Sequence, residues 1–278
     1  MTTSVRRGRT LRSRLLAFIT GAVDRLRSAW LLLTNAQNRL LNALGSIPAT
    51  RNGTSRRLRQ AIDAFNTSLG AFNRTAMAFA ERWAATDLPL IYREGAFTLL
   101  DNADRPQALF TWTDRHRAAI TTTSAQYYAD FTGRISEALR RARVFLRAVQ
   151  DAARTRIGPL DLDQLRRDHP LGTVIYANNA RHPVDAWARA AITWQAVTTA
   201  NTAAARTSLD DLGVNYLEVR DGPQCGWQTH DDPDKAHRTL RTVQDALAHP
   251  TAHPHCVREL LPRLDLIGRD DILSGTAL

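Results

Sequence analysis

The apolar positions Leu11, Leu15, Phe18, Ala22, Leu26, Trp30 and Leu33 recur every three or four residues, the spacing that places side chains on one face of an α-helix. Arg12, Arg14, Arg25 and Arg27 lie mostly off that stripe. A turn-rich break, GSIPATRNGTS, follows at residues 45–55, because Gly, Pro, Asn and Ser suit turns better than helix interiors. The pattern then predicts a second helix over about residues 55–84 and a connection marked by Asp87, Pro89 and Gly95. A long third helix is expected over residues 114–154, with Ile120, Tyr127, Phe131, Ile135, Leu139, Ala142, Leu146 and Val149 inward and Gly158-Pro159 as its stop. Another helix fits residues 183–212, with Trp187, Ala191, Trp194 and Val197 inward and Gly213 ending it.

Beyond Gly213 the pattern changes. The stretches VNYLEVR (214–220), RTLRTV (238–243) and CVRELL (256–261) carry strand propensity and predict a short sheet. Residues 264–278 read as a poorly anchored tail. The expected fold class is mainly α, with long helices forming an extended helical body and a small α+β module at the C-terminus. The expected division is a basic N-terminal helical arm (1–75), a helical body (76–212), a small Cys/His module with short strands (213–263) and the tail.

Composition narrows this further. With 278 residues, 44% of them hydrophobic, the chain has enough apolar surface for a core, which excludes disorder as its dominant state. Two cysteines exclude a disulfide framework. The apolar run LLAFITGAV at residues 15–23 ends at Asp24 and Arg25 without a cleavage pattern. It is also shorter than the ~18–20 apolar residues of a membrane span. A soluble, non-secreted protein without stable membrane anchoring is expected.

The net charge of +10 is unevenly distributed. Residues 1–60 hold twelve arginines against the single acid Asp24, so this segment carries the whole surplus. Arg6, Arg7, Arg9, Arg12, Arg14, Arg25 and Arg27 are therefore candidate contacts for a polyanion, foremost double-stranded DNA. Guanidinium groups bind phosphate without reading base sequence. A second group, Arg134, Arg140, Arg141, Arg143 and Arg147, fits a solvated helix face as well as it fits DNA contact.

The chemistry-bearing residues concentrate near the C-terminus. DGPQCGWQTHDD (221–232) and AHPTAHPHC (248–256) hold both cysteines and, with His237 between them, five of the eight histidines. Cys225, His230, His253 and Cys256 have a Cys-x4-His … His-x2-Cys spacing compatible with a closed, tetrahedral, structural zinc site. His249 and His255 are spare donors. A metal-free knot held by hydrogen bonds and packing, or a Cys225–Cys256 disulfide, fits the same residues. An alternative of another kind is a metal-dependent nuclease or hydrolase using His230, Asp231, Asp232 and His253. No Gly-x-Ser-x-Gly, phosphate-cradling glycine loop or His-Glu-x-x-His accompanies them, so the chain is read as a non-enzyme.

The stretch VRDGPQCGWQTHDDPDKA, followed by AHPTAHPHC and a trailing LPR, resembles the C-terminal module of the Mu F-like minor head proteins of tailed bacteriophages. YANNARHPVDAWARAAITWQAVTTAN (176–201) resembles the helix leading into that module, and ERWAATDLPLIYREGA (81–96) is similar to an earlier part of the actinobacteriophage versions. The resemblance runs over about residues 170–263, more weakly over 78–160, and does not extend to the basic N-terminus. Several members of that family carry Cys-x-x-Cys where this chain has Cys225 alone. What the resemblance implies is a structural minor capsid protein inside the phage head near the portal, acting in head assembly and in genome packaging or delivery. Its implied partners are the portal protein, phage double-stranded DNA and the major capsid or scaffolding protein. Its implied locations are the virion interior and, during assembly, the host cytoplasm.

Overall fold

A computed structural model describes residues 10–47, 55–155, 160–176, 178–221 and 236–278. The protein is mainly α with a small β part near the C-terminus. The elements are α1 (Leu11–Gly45), α2 (Arg56–Arg82), α3 (Leu88–Asn102), α4 (Asp114–Arg154), α5 (Leu162–Asp168), β1 (Thr173–Ile175), β2 (Arg181–Pro183), α6 (Val184–Asp210), β3 (Tyr216–Arg220), β4 (Leu240–Thr242), α7 (Val243–Ala248) and β5 (Glu259–Pro262). Gly158-Pro159 and most of the 45–55 break lie outside the described residues. Among the described residues no helix is long and apolar enough to cross a membrane.

The contacts group the chain into two compact units, each drawn from separated stretches. Residues 1–22, 83–127 and 189–278 make one, and residues 23–82 and 128–188 make the other. The sequence segments expected above run linearly along the chain, and the units do not.

In the unit built from residues 23–82 and 128–188, aromatic rings interlock where the helices meet. Trp30 of α1 packs edge-on against Phe72 of α2 with centroids 4.9 Å apart, and lies 5.6 Å from Trp187 of α6. Phe131 of α4 meets Phe79 of α2 at 5.2 Å, and Phe145 meets Phe65 at 5.6 Å. Rings are large, rigid and favoured in edge-to-face pairs, so these contacts set the rotation of each helix about its axis. The expected inward face of α4 holds at Ile120, Tyr127, Phe131, Ile135, Ala142 and Val149, all buried, and shifts at two positions. Ala138 and Phe145 are buried, whereas Leu139 and Leu146 are only half-buried.

Two of that unit's arginines hold its hairpin. β1 and β2 pair antiparallel, Val174 opposite His182, a strand pair that periodicity did not suggest. Arg141 donates to the carbonyls of Pro170, at 2.8 Å, and Thr173. Arg134 lies over the Tyr176 ring at 4.4 Å and donates to the Ile175 carbonyl.

In the other unit the expected connection at residues 85–95 is helical instead. A five-residue π-turn, Trp83–Asp87, joins α2 to α3, and Pro89 sits in the first turn of α3. The helical run is continuous here, with Asp87 itself helical, and the widened turn makes room for the proline ring and its missing N–H. The Trp83 indole N–H donates to Gln195 Oε1 at 2.7 Å. Gly95 is needed for close approach rather than for a turn, because a Cβ there would lie 2.1 Å from the Ala200 carbonyl oxygen of α6.

The C-terminal sheet has the order β4-β3-β5, both pairs antiparallel. Its buried face, including Leu217, Val219 and Leu260, packs with Leu99 of α3, Ala204 and Ala205 of α6 and Val243 and Ala246 of α7. The tail, expected to be loose, is anchored on the outer side of β4. Leu240 N–H donates to Thr276 O, Gly275 N–H to Leu240 O and Leu278 N–H to Arg238 O. Asp245 reinforces this by accepting from Ser274, Arg241 and His249. An unpaired strand edge leaves backbone groups seeking partners, which no side-chain pattern in the tail advertises.

Two outcomes follow from this packing. Gly95→Ala is expected to destabilise the protein by about 1–3 kcal/mol, read as a lower urea midpoint. For Asp245, burial alone would raise the carboxyl, but the hydrogen bonds from Ser274, Arg241 and His249 outweigh it and lower its pKa. A carboxyl lowered on folding adds stability at pH above its unfolded value of about 4 and loses it as pH falls through the folded value. Amide protection at Leu240, Gly275 and Leu278 is therefore expected to fall on acidification, with less pH dependence in Asp245→Asn.

Candidate functional site

Of the C-terminal stretches, Asp221, His237, the His249 carbonyl, Cys256 and Arg258 come together at one end of the three-stranded sheet. Asp221 follows directly on β3, and Arg258 directly precedes β5, the strand paired beside it. Antiparallel pairing of those strands therefore brings Asp221 and Arg258, distant in sequence, to the same end of the sheet. Arg258 Nε and Nη2 each donate to a different Asp221 carboxylate oxygen at 2.9 Å. Both side chains are almost wholly buried, at 2% and 1% exposure.

Other groups complete the arrangement. Arg258 Nη1 donates to the His249 carbonyl at 2.7 Å. The Asp221 amide donates to His237 Nδ1 at 3.1 Å, and the Cys256 thiol lies 3.9 Å from Asp221 Oδ1. From α6, the Asn201 amide donates to Pro250 O at 2.8 Å and to Arg258 O at 3.0 Å. The site is thus a ring of hydrogen bonds around one ion pair. It fastens the 249–258 segment to β3 and α6. The bidentate geometry supplies directional bonds that offset the large desolvation cost of burying both charges.

Of the four proposed zinc ligands, Cys225 and His230 lie outside the described residues, as do Asp231 and Asp232 of the nuclease alternative. Cys256 is buried and faces the Asp221–Arg258 pair, so its nearest polar neighbourhood already contains a full positive charge. His253 Nδ1 accepts the His255 amide at 3.3 Å. Among the described residues no three His, Cys, Asp or Glu side chains gather as a metal-binding group. The described donors alone therefore do not make a tetrahedral site, and completing one needs the segment that carries Cys225 and His230.

The candidate DNA-binding arginines separate. Arg6, Arg7 and Arg9 lie outside the described residues. Arg12 is exposed on the first turn of α1. Arg14 is tied to Glu94, at 3.3 Å, and to Asp101 of α3. Arg27 pairs with Asp185 at the start of α6, Nε to Oδ1 at 2.7 Å. Arg25 is half-buried in a groove between α1 and α2. Arg14 and Arg27 thus serve internal ion pairs, which the count of charges along the chain did not reveal.

A polar string that sequence reading missed links α3, α4 and the end of α6. The Tyr92 hydroxyl lies 2.9 Å from His116 Nδ1, and His116 Nε2 lies 3.6 Å from Asp211 Oδ2. Burial pushes the Tyr92 phenol far above its ordinary range. Burial likewise raises the Asp211 carboxyl, against the lowering effect of His116. The Tyr-His-Asp order resembles a proton relay, but His116 is fully buried and a relay needs contact with a reacting group. The string docks three helices. Their sequence separation hid it, since neither Tyr92 nor His116 sits in a chemical motif.

Breaking the Asp221–Arg258 pair is expected to be costly. Arg258→Met or Asp221→Asn alone leaves one buried charge uncompensated and should cost about 3–5 kcal/mol. Replacing both with apolar residues of similar volume should recover much of that loss. Urea unfolding of the two single variants and the double variant measures this coupling directly.

Comparisons with protein-family models, with curated protein sequences and with solved structures found no match.

Proposed function

We propose that the protein is a non-enzymatic minor head protein of a tailed bacteriophage. It would lie inside the head near the portal, act in head assembly and genome packaging or delivery, and contact DNA through its N-terminal arginines. The observation that carries this reading is the closure of the motif-bearing stretch on itself. Asp221 of the first quoted stretch and Cys256 at the end of the second meet at one buried Asp221–Arg258 pair. A buried and already satisfied charged pair at this place supports a structural role for the described residues around it. A structural zinc on Cys225, His230, His253 and Cys256 would fasten this region further. The mainly α body supplies helix surface for partners such as the portal protein.

DNA contact is assigned to Arg6, Arg7, Arg9 and Arg12. Arg14 and Arg27 are reassigned to holding the fold, because each is already paired with carboxylates. Neutralising phosphates releases counterions, which makes affinity fall steeply with salt. Residues 1–9 precede α1, so they can be removed without cutting into a described helix.

Deleting residues 1–9 removes three arginines, and is expected to reduce the slope of log K against log salt by about 3 on a duplex DNA. Arg14→Ala is expected to lower the unfolding midpoint while leaving that slope nearly unchanged. Equal salt slopes for the full and shortened chains would remove the DNA part of the reading. Co-expression with the portal and major capsid proteins of the same genome tests the rest. Failure to be recovered in the assembled heads would remove the head-protein reading itself.

A further inference from the structure

The hairpin of α1 and α2 carries two openings along one seam. One, of about 400 Å³, lies between the C-terminal half of α1 and the start of α2, with Arg39 and Arg57 at its rim. The other, of about 630 Å³, lies further along the same pair, with Arg25, Arg74 and Arg82 around it. Arg39 is thus near Arg57, and Arg25 is near Arg74 and Arg82, so the two helices run antiparallel and both openings share their seam. Arg25 and Arg39 are fourteen residues apart, or about 21 Å along a helix. That is the length of roughly four helical turns.

Between the arginines the lining includes small groups, Ala61, Ala64 and Ala78 reaching the surface beside the polar Asn42, Gln60, Ser28 and Thr75. Ala36, Ala43, Ala61 and Ala64 line the first opening, and Ala78 and Phe79 line the second. Small side chains let another helix approach to a close interaxial distance. Arg39, Arg57 and Arg74 give the rim its cationic character, and Asp24 is the one acidic residue lining either opening. Arg39, Arg57 and Arg74 form no ion pair with any of the described residues. A sugar-phosphate backbone would answer the rim but leave the alanine floor uncovered.

We infer that the α1–α2 seam is a docking groove for an acidic amphipathic helix of about four turns, supplied by a partner protein. The partner's apolar face covers the alanine floor, and Asp or Glu on its two flanks meets the arginine rims. Apolar groove contact supplies most of such affinity, and charge complementarity fixes orientation and excludes basic helices. The inference rests on the helical hairpin alone, whichever family the chain belongs to.

The test uses the full-length protein and fluorescence anisotropy of a labelled helical peptide of about 20 residues. One face of the probe carries Leu and Ala, and Glu flanks that face. Saturable binding is expected, with little binding to a scrambled peptide of equal composition or to a version with Lys flanks. Two variants address the two halves of the groove, each checked for an unchanged unfolding midpoint. Arg39→Glu/Arg57→Glu/Arg74→Glu reverses the rim, and Ala64→Trp fills the floor without changing charge. Each is expected to weaken binding by about tenfold or more, a difference of about 1.4 kcal/mol. The proposal is overturned by any of three results: no saturation up to about 100 μM, equal binding of the scrambled peptide, or unchanged binding in Ala64→Trp. If the last result comes with displacement of the probe by duplex DNA, the seam is a phosphate-binding surface instead.

Discussion

The C-terminal module depends on finding partners for one buried cation. Arg258 is held where its guanidinium has lost water, and an arginine cannot shed its charge to escape that cost. Every neighbour is placed to meet that requirement. Asp221 supplies the counter-charge through two parallel hydrogen bonds, and the His249 carbonyl takes a third N–H. Asn201 then ties the Arg258 backbone to α6. The buried face of the three-stranded sheet sets which side of each strand meets the helices. A directional ion pair at the sheet's end reinforces the register, since a one-residue slip would separate two buried charges.

Arginine illustrates how place decides function when residue type does not. Arg258 is a buried staple, and Arg141 and Arg134 hold a hairpin to a helix. Arg14 and Arg27 close ion pairs between elements far apart in the sequence. Arg39, Arg57 and Arg74 border an open seam. All carry the same charge, and the energy of each depends on local solvent and partners. The count of 37 basic residues therefore overstates the surface left for polyanions, because those already paired with carboxylates are not available to them.

The packing rests on close approach at a few points. Gly95 lets α3 press onto the Ala200 backbone of α6, and the π-turn at Trp83–Asp87 carries the chain past Pro89 into α3. Read linearly, Asp87, Pro89 and Gly95 spell a loop. In the fold they mark a tight helical junction, because tertiary contact outweighs local propensity.

The sequence by itself determined the mainly α class, the positions of α1, α4 and α6, and the strands β3 and β4. Long runs of 3.6-residue periodicity and β-branched alternation are local properties, written into neighbouring residues. It also pointed to the 221–256 region as the place where unusual chemistry gathers. Only the tertiary structure decided what that chemistry is built around. Asp221 and Arg258 are 37 residues apart, and nothing local to either says that antiparallel pairing of β3 with β5 will bring them together. The burial of Phe145 in α4, the hairpin β1–β2, the anchoring of the tail and the Tyr92–His116–Asp211 string were hidden for the same reason. Each depends on side chains or backbone groups meeting across large sequence separations, and a pairwise contact in space leaves no periodic trace in one chain's order.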